Sequence, residues 1–242
     1  MKALHKTVVL VPTYNEHENV EYIIEAISQN LPDASILIID DNSPDGTGEK
    51  VQELQKQNKN VELLSRPGKE GLGRAYQDGF RAVLRDPGVE HVIMMDADGS
   101  HAAEYLPTLV KESERVNLVI GSRYVKGGGI EEWEPWRYAL SKYGNIYARV
   151  LTGLPVQDLT AGFMCFRADL LRKIDLDKIN ASGYAFQIEL KFYSIRHAGA
   201  AVCEVPIVFR SRRGGESKIS RHIIREGLTT PWRILGKRVS GI

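Results

Sequence analysis

A chain of 242 residues that is 43% hydrophobic and 26% charged has enough apolar side chains for a sizeable core, which excludes a largely disordered protein. Its two cysteines, Cys165 and Cys203, exclude a disulfide scaffold and a four-thiolate zinc site, so we expect a reducing, cytosolic environment. The net charge of +1 hides an asymmetry, because residues 205–242 hold nine Lys or Arg and only two Glu. The apolar runs are too short to predict a secretory signal or a membrane-spanning helix.

The first half of the chain alternates strand patterns with helix patterns. Residues 7–11 and 36–39 are short, β-branched apolar runs, typical of buried parallel strands. Apolar side chains at i, i+3, i+4 and i+7 from Val20 predict a helix between them, with a capped start at Asn15 and Glu18. Further strands are predicted at residues 61–64, 91–95 and 118–120, and a further helix at 72–84. This alternation predicts an α/β fold with a mostly parallel central sheet flanked by helices.

The second half is less regular. Apolar spacing over residues 136–151 predicts a long amphipathic helix, and residues 201–209 predict a strand in which Pro206 marks an edge or a bulge. A basic amphipathic segment begins near Ile219. We therefore predict one catalytic domain over residues 1–218, followed by a C-terminal segment over residues 219–242.

Two pairs of acidic residues follow predicted strands. Asp40 and Asp41 come directly after one strand, and Asp96 and Asp98 come after another. Ligands of open α/β sheets bind at the carboxyl ends of the strands, so we expect both pairs to face one crevice. Two carboxylates spaced as Asp96 and Asp98 are suited to a hard cation that completes its shell with water and phosphate oxygens. On spacing alone, a helix cap and an Asp-Gly turn explain them equally well.

Three other features are compatible with phosphate binding. They are a glycine-rich stretch at residues 68–73, a basic loop at 212–218, and the pair Arg137 and Ser141, one helical turn apart. The glycine-rich stretch matches neither a P-loop nor a dinucleotide fingerprint. Each feature also has a structural explanation: a helix entry, a solvated turn and the decoration of a helix surface.

Several motifs occur together in a fixed order: VLVPTYNE at 9–16, IDDNSPDGT at 39–47, GLG at 71–73, DAD at 96–98, GSRY at 121–124, DLTAGF at 158–163, GYAFQIE at 183–189 and GESK at 215–218. Over about residues 7–220 this set resembles the GT-A, family 2 glycosyltransferases. More narrowly, it resembles the dolichyl-phosphate (polyprenyl-phosphate) mannose synthases of the soluble type without transmembrane helices. The resemblance implies a GT-A, Rossmann-like nucleotide-diphospho-sugar transferase fold.

The resemblance also implies roles for individual residues. The guanosine part of GDP-mannose would be held by Pro12, Tyr14, Glu16, Ile39 and Asp41. The diphosphate and its Mg²⁺ or Mn²⁺ would be bound by Asp96, Ala97 and Asp98, with the two aspartates as the metal-binding residues. Donor phosphates or sugar would be contacted by Arg123, Arg212 and Lys218. The lipid phosphate of the acceptor would be bound by Arg137 and Ser141.

The implied reaction is metal-dependent, inverting transfer of mannose from GDP-mannose to dolichyl or polyprenyl phosphate. The acceptor phosphate is already an anion, so its attack needs no general base. Because this acceptor lies in a membrane, we expect a peripheral position on the cytosolic face, with the basic C-terminal segment as a candidate interfacial helix. That segment can instead pack on the domain, and a membrane-anchoring partner protein is compatible with either arrangement.

Three alternatives stay open at this point. One is a polyprenyl-phosphate glucosyltransferase that uses UDP-glucose, and another is a family 2 transferase with a soluble acceptor. The third is a non-catalytic scaffold subunit that binds lipid phosphate, although the intact Asp96, Asp98 and Arg123 favour an enzyme. We expect no nucleic-acid partner, because only the basic C-terminal segment would favour one.

Overall fold

The structure, a computed structural model, describes residues 4–181, 183–213 and 221–239. The first half contains β1 (Thr7–Thr13), α1 (Val20–Asn30), β2 (Ala34–Asp40), α2 (Thr47–Gln57), β3 (Val61–Ser65), α3 (Leu72–Val83), β4 (His91–Met94), α4 (Leu106–Glu112) and β5 (Leu118–Ser122). The second half contains β6 (Gly129–Ile130), α5 (Pro135–Thr152), β7 (Met164–Arg167), α6 (Ala168–Leu171), α7 (Tyr184–Phe192), β8 (Val202–Pro206), β9 (Val208–Phe209) and α8 (Arg221–Val239). None of the helices in these described stretches has the length and apolar character to cross a bilayer.

Seven strands form the central sheet, in the order β3-β2-β1-β4-β7-β5-β8. β7 runs antiparallel to both of its neighbours, β4 and β5, while the other pairs in the sheet are parallel. A second, two-stranded sheet joins β6 and β9 in parallel. The predicted α/β fold with a mostly parallel, helix-flanked sheet is therefore confirmed.

Buried apolar residues cover both faces of the sheet. β2 is buried along its whole length, and β1 is buried except at Pro12, which is why both appear as continuous apolar runs rather than alternating patterns. Helix α3 approaches the sheet closely at Gly79, where a Cβ atom would lie 2.5 Å from the Cδ1 of Ile39. The parallel strands β1, β2, β3 and β4 consequently end at one edge of a rigid sheet, and the site is built at that edge.

The predicted helix cap and the predicted strand at residues 201–209 have different outcomes in the structure. The predicted cap at Asn15 and Glu18 is wrong: α1 begins at Val20, and Asn15 lies in the left-handed region with φ of 56°. The reason is a turn in which the backbone carbonyl of Glu16 accepts from the amides of Asn19 and Val20.

The predicted strand at residues 201–209 is divided after Pro206, at the end of edge strand β8. The interpretation of that proline as an edge residue is therefore confirmed.

Candidate functional site

The loops that follow β1 and β2 hold each other in place. The backbone amides of Asn15 and Glu16 donate to the hydroxyls of Ser43 and Thr47, each at 3.0 Å. Asp40 is buried and accepts from the hydroxyls of Thr13 at 3.0 Å and Ser43 at 2.6 Å. Asp40 therefore links the two loops through hydrogen bonds. The next residue, Asp41, extends toward the crevice.

Asp41 belongs to a cluster of ion pairs centred on the buried Arg66. The guanidinium of Arg66 pairs with Asp41 and also lies 2.8 Å from carboxylate oxygens of both Glu70 and Asp78. Burial raises the pKa of Asp41 above its ordinary value, even though Arg66 opposes the increase. Sequence reasoning missed Arg66, although its position directly after β3, at the same edge of the sheet, was a usable signal.

The other residues predicted to hold a nucleoside lie beside this cluster. Pro12 and Ile39 are register partners on the adjacent strands β1 and β2. Tyr14 follows β1, and the Nζ of Lys69 lies 4.1 Å from the centroid of its ring. The ends of two neighbouring strands thus bring four of these residues to one region: Pro12, Tyr14, Ile39 and Asp41. Lys69 adds a cation there, to which no role was assigned from the sequence.

The loop after β4 carries the acidic motif. The Asp96 amide donates to Nδ1 of His101 at 3.0 Å, and Nε2 of the same ring lies 3.9 Å from Oδ2 of Asp96. Burial raises the pKa of Asp96, and the charge of the neighbouring Asp98 adds to the increase. Ala97 is buried between them. The Asp96 carboxylate remains partly exposed toward the crevice.

Asp98 is joined to the segment that follows β9. Its Oδ1 accepts from the amide and hydroxyl of Ser100 at 3.0 and 2.6 Å, and its Oδ2 accepts from Nε of Arg212 at 2.9 Å. The backbone amide of Arg213 donates to the Asp98 carbonyl at 3.0 Å, so main-chain contacts fix this docking as well. Two sequence-distant motifs therefore meet here. Lys218 lies outside the described residues.

The oxygen ligands at this loop fit a divalent cation. Within the described part of the chain there is no group of three or more His, Cys, Asp or Glu arranged to hold a metal, so the protein would supply only a few ligands. Mg²⁺ in phosphate-transfer sites is bound in this way, through one or two carboxylates with water and substrate phosphates completing its shell. The carboxylates of Asp96 and Asp98 are of the type that such a cation takes.

Arg123, directly after β5, is engaged with the protein itself. Its Nε and Nη2 lie 2.7 Å from the two carboxylate oxygens of Asp158, and Nη2 also donates to the Thr160 hydroxyl at 2.8 Å. Burial alone would raise the pKa of Asp158, but the adjacent Arg123 holds it below the ordinary value. Both residues are buried, so Arg123 organises the 158–160 loop at the edge of the crevice.

Arg137 and Ser141 lie one turn apart on α5. The guanidinium of Arg137 stacks 4.3 Å from the Trp133 ring centroid, and Ser141 accepts from the Tyr124 hydroxyl at 2.8 Å. Because Tyr124 follows Arg123, the structure brings this predicted pair of residues next to the end of β5.

Helix α5 turns its polar side inward and its apolar side outward. Its buried residues are Asn145, Ala148 and Thr152, whereas Leu140 and Val150 are 64% and 73% exposed. The large exposed apolar side chains of the described residues all lie on α5 and α8: Trp136, Tyr138, Leu140, Tyr143, Ile146, Val150, Leu228 and Trp232. We call this set the apolar surface. The predicted amphipathic helix is present, but its apolar side is not buried in the core.

Helix α8 packs on the domain beside α5. The Tyr147 hydroxyl donates to the Leu228 carbonyl at 2.8 Å, and Lys237 donates to the Tyr193 hydroxyl at 2.7 Å. The packing alternative for the basic segment thus holds for these residues, while Leu228 and Trp232 still face outward.

Residues 8–175 match the family described as Glycosyl transferase family 2. The chain belongs to this family. It is 43% identical over 242 residues to the polyprenol monophosphomannose synthase of Mycolicibacterium smegmatis, covering 98% of this chain and 90% of that protein. It is 40% identical over 234 residues to the undecaprenyl-phosphate mannosyltransferase of Micrococcus luteus, covering 96% of each chain. The resemblance found in the sequence is confirmed.

Solved structures agree on the fold of this family 2 glycosyltransferase. The glucosyl-3-phosphoglycerate synthase of Mycobacterium tuberculosis, in complex with phosphoglyceric acid, superposes with a TM-score of 0.68 at 18% identity, covering 96% of this chain and 80% of that one. Its complex with Mn²⁺, UDP-glucose and phosphoglyceric acid gives a TM-score of 0.67 at 20% identity, with the same coverage. At these identities the likeness supports the GT-A, Rossmann-like fold alone.

Proposed function

We propose that this family 2 glycosyltransferase transfers mannose from GDP-mannose to dolichyl or polyprenyl phosphate with inversion, giving a polyprenyl β-mannosyl phosphate and GDP. The observation that carries the proposal is the pair of mannosyltransferase relatives, 43% and 40% identical along nearly the whole chain. The site supports it, because the acidic loop and its arginine partner lie at the strand ends where a nucleotide sugar would bind.

For the donor, we assign the guanosine part to the region formed by Pro12, Tyr14, Glu16, Ile39 and Asp41. A carboxylate such as Asp41 can accept from the N–H groups of guanine, and Arg66 orients that carboxylate by pairing with it. The diphosphate is assigned to the loop of Asp96, Ala97 and Asp98, with Arg123, Arg212 and Lys218 as cationic contacts.

We assign a bound Mg²⁺ or Mn²⁺ to Asp96 and Asp98; when bound, it would place positive charge against the departing diphosphate. Arg212 already lies against Asp98, so its guanidinium is positioned to add charge on the same side of the site. Ser100 fixes the rotamer of Asp98 through two hydrogen bonds to Oδ1, which leaves Oδ2 facing Arg212.

For the acceptor, we assign the phosphate to Arg137 and Ser141. A phosphate monoester is anionic near neutral pH, so the protein has no proton to remove from the nucleophile. Its task is to hold two anionic substrates in line and to neutralise their charge. The Ser141 hydroxyl accepts from Tyr124, so its own proton can be donated to a phosphate oxygen.

We further propose that the catalytic domain extends over residues 1–218 and that residues 219–242 act at a membrane interface on the cytosolic side. The apolar surface supports this, because exposed patches of aromatic and aliphatic side chains mark interaction sites. The same two helices also carry basic residues, and the combination of apolar and basic side chains suits an anionic lipid interface. These basic residues are Arg137, Lys142, Arg149, Arg225 and Arg233. A membrane-anchoring partner protein is compatible with this position.

A transfer assay with matched variants tests the function. Labelled GDP-mannose is incubated with polyprenyl phosphate or with 3-phosphoglycerate, using wild-type protein, Asp98→Asn and, as a control at the opposite edge of the sheet, exposed Asp33→Asn. We expect label in the lipid only, lost with EDTA and in Asp98→Asn but retained in Asp33→Asn. Label on 3-phosphoglycerate would favour a soluble acceptor, and no turnover would favour the scaffold alternative.

A further inference from the structure

Helix α5 contacts the 158–160 loop through polar groups. Its buried residues are Asn145, Ala148 and Thr152, and of these only Ala148 belongs to the apolar core. The Asn145 amide makes two hydrogen bonds with Thr160, donating from Nδ2 to the hydroxyl at 2.9 Å and accepting the backbone N–H at Oδ1 at 3.1 Å. Nδ2 also donates to the carbonyl of Ser141 at 3.0 Å, which ties this contact to the helix turn of the proposed acceptor site.

The Thr160 hydroxyl joins this helix to the opposite side of the site. Besides the Asn145 amide, it accepts Nη2–H of Arg123 at 2.8 Å, and it lies 3.4 Å from Oδ1 of Asp158, to which its proton is directed. A hydroxyl has one proton and two lone pairs, so all its hydrogen-bonding capacity is used. Thr160 is partly buried, and a polar network that is fully satisfied in this way specifies one geometry.

We propose that Thr160 and Asn145 are positioning residues for the acceptor phosphate. They set α5, and with it Arg137 and Ser141, at a fixed distance from Arg123 and the donor side of the crevice. The proposal rests on the assigned function of the site. Its physical reason is that the Thr160 junction fixes the α5 turn of Ser141 and Asn145 against the 158–160 loop, in addition to the contacts that α5 makes with Tyr124 and with α8.

The mechanism makes this position important. An in-line transfer between two anions depends on alignment, and a small displacement of one substrate strongly lowers the rate. Arg123 would keep its paired bonds to Asp158 without the Thr160 hydroxyl, so the donor side would change little. The acceptor side would lose the hydrogen bond between Asn145 and that hydroxyl.

Thr160→Val tests the proposal, because it removes the hydroxyl while preserving the shape. We expect the KM for polyprenyl phosphate to rise at least about tenfold, while the KM for GDP-mannose stays within about threefold. Thr160→Ser should restore the wild-type acceptor KM. The control is Thr152→Val, a buried threonine further along α5, whose hydroxyl donates to the Ala148 carbonyl of its own helix.

Hydrogen exchange of the α5 amides gives a readout that does not depend on activity. We expect Thr160→Val to accelerate exchange in residues 140–150 roughly tenfold relative to α1, and Thr152→Val to leave the Asn145 region unchanged. Unchanged α5 exchange and unchanged acceptor KM in Thr160→Val would overturn the proposal. If the wild-type protein transfers no mannose, the exchange result still decides whether Thr160 positions α5. A failure of the positioning proposal can therefore be distinguished from a failure of the assigned function.

Discussion

The Nε of Arg212 lies 2.9 Å from Oδ2 of Asp98, joining the segment after β9 to the acidic loop after β4. Arg210, two residues earlier, instead pairs at 3.0 Å with Glu104, and both of those side chains are about half exposed. The same short segment therefore carries one arginine at the proposed diphosphate site and one on the surface.

This difference gives a matched pair of variants. We expect Arg212→Gln to lower kcat/KM for GDP-mannose about 100-fold, because charge directed at a leaving group stabilises the transition state. Arg210→Gln should stay within about twofold, since exposed ion pairs contribute little. Steady-state kinetics with varied GDP-mannose makes the comparison, and equal effects of the two substitutions would remove Arg212 from the proposed site.

Arg66 should be important for stability because it neutralises buried Asp41. We expect Arg66→Met to lower the free energy of unfolding by about 3–5 kcal/mol, since it leaves a buried carboxylate without its partner. Adding Asp41→Asn should recover part of the loss. The control is Arg115→Met, because the Arg115 side chain is 80% exposed where it pairs with Glu112. Urea unfolding measures all four proteins, and a loss below about 1 kcal/mol in Arg66→Met would contradict this account.

The sequence predicts the sheet better than it predicts the site. Continuous apolar runs identify β1 and β2 because both faces of these strands are buried, a property that the local sequence records. The Asp41–Arg66 pair and the Asp158–Arg123 pair are not predictable in this way. Asp41 and Arg66 follow two different strands, whereas Arg123 follows β5 and Asp158 lies in the loop between α5 and β7, so only the tertiary structure places each pair together.

Helix α5 shows a second limit of sequence reasoning. Its periodicity correctly predicts a helix, but periodicity does not state which side faces the core. The inward side is decided by Asn145, whose amide bonds to Thr160, and this contact depends on the tertiary position of the 158–160 loop.

Lys191 predicts a specific pH dependence of stability. It is fully buried and donates to the carbonyls of Leu159 and Ala161 at 3.0 and 2.7 Å, and burial lowers its pKa to about 7. The unfolded chain therefore binds more protons than the folded one between pH 7 and the ordinary lysine pKa of about 10.4. Stability should rise with pH across this window because of Lys191, by up to about 1.4 kcal/mol per pH unit.

Urea unfolding at several pH values tests this dependence. Lys191→Met should remove the upward slope above pH 7 whatever its overall stability, whereas Lys173→Met, at an exposed position near α6, should keep it. An equal slope in wild type and Lys191→Met would show that Lys191 is not the group responsible.

The apolar surface predicts binding to lipid. The double variant Trp136→Gln and Leu140→Gln should reduce co-sedimentation with anionic phospholipid vesicles at least about tenfold, because two exposed apolar side chains no longer enter the interface. The double variant Lys56→Gln and Lys59→Gln, at exposed positions around the end of α2, should bind as wild type does. Undiminished binding of the Trp136 and Leu140 variant would contradict an interfacial role for α5.

The proposed activity is defined by which sugar the enzyme transfers and which acceptor receives it. The most direct measurement supplies differently labelled GDP-mannose and UDP-glucose together, with polyprenyl phosphate and Mg²⁺ or Mn²⁺, and determines the sugar and its anomeric configuration in the extracted lipid. We predict mannose alone, in β linkage to phosphate. Glucose in the lipid would move the donor to the UDP-sugar alternative, and α-linked mannose would contradict the single in-line displacement.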